Sequence, residues 1–213
     1  MKKGRTLGLP LRCLRQTRDV RFKPTMTSRS NSRTGGAAIL AGALIFAGQA
    51  GQLAFGNTLE PVWVALVLLG IAALAVAIWG VRRLVSTRIG RIGWRIAVAG
   101  ITLLGLFAVQ TVITLAFTGD IPENFILFAL GFLLLFVGHL LIAPGLRDTF
   151  GRAWVLPLVA AAGIIVAITL NDKPIELTHD IGLFVFEGAW VALGVALLRA
   201  ERRRQPGTAS ALV

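Results

Sequence analysis

The chain has 213 residues, of which 55% are hydrophobic and 15% charged, and a formal net charge of +12. A soluble domain carries about 25% charged residues, so a single soluble globular domain is excluded on composition. The charge excess suggests a nucleic-acid binder until its distribution is considered, because the basic residues flank long apolar runs rather than forming one face.

The first 35 residues are polar, basic and rich in Ser, Thr and Gly. They read as a disordered tail with too few apolar residues to bury. Met26 offers a second start within it. Cys13, the sole cysteine, lies in this tail, so no intramolecular disulfide forms.

Six apolar runs follow, at roughly 36–56, 62–81, 94–117, 124–143, 153–170 and 181–198. A bilayer core about 30 Å thick needs about 20 apolar residues per helical span. Each run has that length, and a signal-peptide core of about 7–15 residues is shorter than the first of them. The runs are continuous rather than alternating, which argues for helices and against a closed barrel. The fold class is therefore all-α: a polytopic transmembrane bundle of six spans. It divides into a tail at 1–35, a membrane domain at 36–199 and a short basic tail at 200–213.

The connections alternate in charge. Ten basic residues precede the first run. Arg82, Arg83, Arg88 and Arg91 lie between runs two and three, with Arg95 at the very start of run three, and Arg147 and Arg152 lie between four and five. Arg199, Arg202, Arg203 and Arg204 follow the sixth, so only Lys173 of the 22 basic residues falls on the other side. That other side carries Glu60, Asp120, Glu123, Asp172, Glu176 and Asp180. Short loops rich in Lys and Arg stay cytoplasmic. Both termini are thus expected in the cytoplasm, in a cytoplasmic membrane of bacterial type, with anionic lipid heads as partners of the basic face. No nucleic-acid partner is implied.

The connections are short and punctuated by Pro and Gly at 57–61, 119–122 and 171–174, and Pro144 with Gly145 is expected to end span four. Consecutive spans are then antiparallel neighbours. Trp63 on the outer side and Trp79, Trp94 and Trp154 on the inner side are placed as interfacial anchors. Pro157 stands about one turn into span five, where it either begins or kinks the helix.

Glu187 is the one ionisable residue well inside a span. An ionised carboxylate in hydrocarbon is costly, so this side chain must face the bundle interior and find a partner or hold a proton. It lies roughly 10 Å below the outer end of its helix. Gln110, with Thr114 one turn on along the same face, and Gln49 on span one lie at a similar depth. If spans one, three and six are adjacent, Glu187, Gln49, Gln110 and Thr114 converge in the outer half. Two readings stay open: polar glue between helices, at about 0.6 to 2 kcal/mol per bond, or a site responsive to protons or ligands. Trp190, one turn further in, would floor such a cavity.

His139, near the inner end of span four, is a residue able to titrate or bind metal. The only other histidine, His179, is at the opposite side, so no bis-His haem forms within one chain. The chain lacks a phosphate-cradling Gly-rich loop, His-Glu-x-x-His, Gly-x-Ser-x-Gly and any lysine within a span. No catalytic, cofactor-binding or metal site is therefore assigned, no cofactor is expected, and the balance leans away from an enzyme. Gly188, Ala192 and Ala196 line one face of span six with small side chains, as do Ala38 with Gly42 and Gly163 with Ala167 on spans one and five. Such faces permit close helix approach.

These features carry two functional expectations. The first is a small transporter, channel-like protein or sensor built around Glu187 and expected to form a homo-oligomer. The second is an accessory subunit of a larger membrane complex, docked through the small face of span six.

Overall fold

The computed structural model describes residues 28–55, 60–118, 126–169 and 176–204. They form α1 (Ser28–Phe55), α2 (Glu60–Val81), α3 (Arg88–Thr118), α4 (Ile126–Phe150), a short 3-10 helix (Gly151–Val155), α5 (Leu156–Thr169) and α6 (Glu176–Arg204). Together they provide six stretches long and apolar enough to cross a membrane, the fifth made of the 3-10 helix and α5, and there is no strand among the described residues. The expected turns at 119–122 and 171–174, Cys13 and most of both tails lie outside the described residues.

Large apolar side chains are exposed along the middles of the helices: Leu69 is 59% exposed and Val109 58%. A soluble protein rarely leaves so much contiguous apolar surface open. A lipid-facing exterior accounts for it, and the bundle has the character of a multi-pass membrane protein.

Each helix packs on its neighbours in sequence, and α6 closes back on α1 to complete a ring. The α3/α4 and α1/α2 pairs are the most extensive, whereas α2/α3 is loose. Small residues set the tight pairs. A Cβ on Gly163 would stand 2.5 Å from the Gly182 carbonyl oxygen, and one on Gly100 2.8 Å from that of Gly131. The α5/α6 and α3/α4 backbones therefore approach as closely as helices can without a side chain between them. Gly42 is held in the same way against the Glu187 carbonyl.

Three details differ from the sequence expectations. First, α1 begins at Ser28, inside the segment assigned to the tail. Second, α4 does not end at Pro144 and Gly145 but continues to Phe150. Proline removes only the bond to the carbonyl one turn earlier, and packing holds the turns beyond it. Ala143 and Leu146 are buried, Gly145 lies against Gly90 and Val85, and its carbonyl accepts from Ser86 N at 3.2 Å and Ser86 Oγ at 3.1 Å. Third, the fifth span is a composite. Gly151 takes a positive φ of 52°, which glycine adopts without the Cβ clash, and this breaks the chain away from α4. Pro157 then falls in the first turn of α5, where its missing N–H costs nothing. About 10 Å of 3-10 helix and about 21 Å of α-helix together reach the length of a bilayer core.

At the basic end, Trp94 is turned inward rather than to the surface. It is 9% exposed and donates Nε1–H to the Ile78 carbonyl at 2.8 Å, tying α3 to α2 where they otherwise touch little. The Arg82 guanidinium lies 5.1 Å from the centre of its ring, and Trp79 packs edge-on against it at 5.4 Å. Trp79 itself stays exposed, as an interfacial anchor would.

Candidate functional site

In the half of the bundle away from the basic end, the ring does not fill its centre. A cavity of about 330 Å³ lies between α1, α2, α3, α4 and α6. The loose α2/α3 contact leaves room for it, while α5 stands outside it. Most of its wall is apolar, including Leu74, Leu104 and Leu135 toward the middle of the bundle. Gln52 and Trp63 mark its other extremity, near the helix ends.

Glu187 reaches this wall from α6 and is 1% exposed. Its backbone is fixed by the close approach of α1 at Gly42. Neither carboxyl oxygen has a hydrogen-bond partner. Gln49 lines the cavity from α1, and its Oε1 is also buried and unpartnered. Trp63 adds a third such group. The sequence placed it as an interfacial anchor, but its indole lines the cavity, its Nε1 is buried without an acceptor, and Phe55 stacks on it at 6.0 Å. Three unsatisfied polar groups on one cavity are unusual, because buried polar atoms nearly always find partners.

The expected constellation is only partly assembled. Spans one and six are neighbours, and Gln49 and Glu187 face the same space. Span three lies across the ring, and it presents Thr111 rather than Gln110 or Thr114 to the cavity. Helical geometry explains the substitution: Leu104, Phe107 and Thr111 share one face, and Gln110 is rotated off it. Thr111 is already satisfied, donating Oγ1–H to the Phe107 carbonyl at 2.9 Å. Trp63 is the contributor that the sequence pattern does not reveal; Thr111 stands at the expected depth, but on a different face from Gln110. In a helix that is apolar all round, only the neighbours decide which face turns in.

Trp190 does not floor the cavity. It lies one turn deeper, edge-on to His139 at 5.4 Å between ring centres, with Phe186 against the same imidazole at 5.9 Å. His139 is buried, and its Nδ1 lies 2.6 Å from the Leu135 carbonyl, which assigns the ring proton to that nitrogen. Its Nε2 is buried and unpartnered. His139 and Trp190 line a separate, smaller void of about 10 Å³, together with Leu146, Pro157 and Ala160. Among the described residues no three His, Cys, Asp or Glu side chains are grouped to hold a metal ion. The side chain of His179 lies outside the described residues.

The small residues of α6 fall on different faces. Gly182 and Gly194 pack against α5 and α1, respectively. Gly188 instead points outward, with nothing within 4 Å of a Cβ placed there. Ala192 is exposed and Ala196 partly so.

No family model matches the chain, and no curated protein or solved structure is significantly similar to it.

Proposed function

We propose that this chain is a small-solute membrane protein, a transporter, channel-like protein or sensor, and that the cavity around Glu187 is its binding site. The observation that supports this most directly is the pairing of an unfilled, mostly apolar space with a fully buried carboxyl group that makes no hydrogen bond. Binding sites have this composition, with largely apolar walls and a few oriented polar groups. A group acting only as glue between helices would have its partner in the folded bundle. The basic end faces the cytoplasm of a bacterial cell under the positive-inside rule, so both termini are cytoplasmic and the cavity lies in the outer half of the membrane.

A bundle of six helices is small for alternating access within one protomer, and a homo-oligomer is the form expected of a transporter here. Mass spectrometry of the assembly released from native nanodiscs tests this. The chain alone, or a multiple of it, is the expected result. A stoichiometric foreign subunit would contradict it.

The accessory-subunit reading has one observation in its favour: the outward opening of α6 at Gly188 and Ala192. On that reading Ala192→Trp releases a co-purifying partner. Retention of the partner would count against this face.

A further inference from the structure

We infer that the ligand of the Glu187 cavity is a small organic cation, a protonated amine on an apolar body. This rests on the reading of the cavity as a solute site and adds the chemical class of the solute. Four features of the wall select it.

The first is charge. Among the described residues, Glu187 is the only ionisable one on the lining, and no Lys, Arg or His lines it. An anionic solute would meet a carboxyl group with no compensating cation, whereas a cation supplies the charge that this carboxyl lacks.

The second is hydrogen-bonding capacity. Both Glu187 oxygens and Gln49 Oε1 are buried acceptors without donors. An ammonium group carries N–H donors and no acceptor, so it matches these oxygens, though not the Trp63 Nε1 donor at the far end of the cavity.

The third is the aromatic content. Trp63, Phe107, Phe128, Phe132 and Phe186 all line the space. Phe128 lies between Phe107 at 5.3 Å and Phe132 at 4.6 Å, so the rings form a continuous wall. Aromatic faces attract a desolvated cation and also pack against an apolar body.

The fourth is size. About 330 Å³ is far more than a bare metal cation occupies, and one carboxylate is a poor ligand set for one. The volume sits at the lower end of the range for small organic molecules.

The test uses the full chain in lipid nanodiscs and three probes of nearly equal shape: 2-phenylethylamine, 2-phenylethanol and phenylacetate. Binding is read by scintillation proximity with radiolabelled probes, and empty nanodiscs correct for partition into lipid. The amine is expected to bind saturably, the alcohol about tenfold or more weaker, and phenylacetate not at all. Glu187→Gln, close in shape to the native residue, should bring the amine down to the level of the alcohol, with an unchanged unfolding temperature or monodisperse elution showing that the variant is folded. Equal binding of amine and alcohol to the native chain would overturn the cation assignment and leave the solute-site reading standing. Amine binding unchanged by Glu187→Gln would overturn the assignment as well. Failure of all three probes to bind the native chain would overturn both.

Discussion

Gln49 on α1 and Glu187 on α6 face one cavity from adjacent helices, and each holds a buried side-chain oxygen that no donor reaches. Two helices pressed together at Gly42 thus carry two unbonded side-chain oxygens to the wall of one cavity. That arrangement adds no hydrogen bond between the two helices. It separates a binding site from polar glue, and it makes the stability of Glu187 variants informative.

Glu187→Met removes a buried carboxyl that makes no bond. An unsatisfied buried polar group costs about 1–3 kcal/mol, so the variant should unfold at the same temperature as the native chain or higher. If Glu187 were glue, the same change would cost about 0.6 to 2 kcal/mol. Thermal unfolding in mild detergent, followed by loss of the monodisperse species, distinguishes the two.

Much of this architecture is legible in the sequence. Six spans, their order and the segregation of arginines to one end follow from run length and charge. The depth of Glu187 and Gln49 follows from counting residues. Which face each helix turns inward is not legible. Most of these helices are apolar on all sides, so lipid-facing and core-facing residues are the same type and no amphipathic stripe betrays the orientation. Gln110 and Thr114 were therefore expected at the cavity where Thr111 stands, and Trp63 was expected at the lipid interface. Pro144 misled for another reason: packing of Gly145 against Gly90 and Val85 holds a helix that local punctuation would end.

The tie between α2 and α3 makes a local prediction. Trp94→Phe keeps an aromatic ring, though a smaller one, and deletes the donor to the Ile78 carbonyl. A hydrogen bond of this kind contributes about 0.5–1.5 kcal/mol, and here it spans the loosest neighbouring pair in the ring. A fall in unfolding temperature is expected, while the equivalent change at exposed Trp79 should have a smaller effect. Equal effects would show that Trp94 acts through its ring alone.

Two glycines on α5 and α6 should respond oppositely. In Gly163→Ala the new methyl meets the Gly182 carbonyl oxygen and the Phe186 nitrogen at 2.5 and 2.7 Å, so the helices must part. Overpacking of this sort costs about 1–3 kcal/mol. In Gly188→Ala the methyl meets nothing, and alanine favours the helix by about 1 kcal/mol. Thermal unfolding of the two variants should shift in opposite directions. Destabilisation by Gly188→Ala in native membranes but not in detergent would reveal a partner on that face.

Orientation is testable with two exposed sites. Ser86 lies in the turn at the basic end, and Phe117, 86% exposed, lies at the far end of α3. In a Cys13→Ser background, Phe117→Cys should react with a bulky impermeant maleimide on intact spheroplasts, and Ser86→Cys only after permeabilisation. The reverse pattern would invert the topology.

The central claim is that solutes enter the cavity beside Glu187. Substituted-cysteine accessibility tests it most directly, with Gln49→Cys and His139→Cys each made in the Cys13→Ser background. The small, impermeant reagent 2-(trimethylammonium)ethyl methanethiosulfonate, added to the face opposite the basic end, should modify Gln49→Cys rapidly and leave His139→Cys unmodified. A Gln49→Cys side chain as unreactive as His139→Cys would mean that no solute reaches Glu187, and the cavity would then be a packing defect rather than a site.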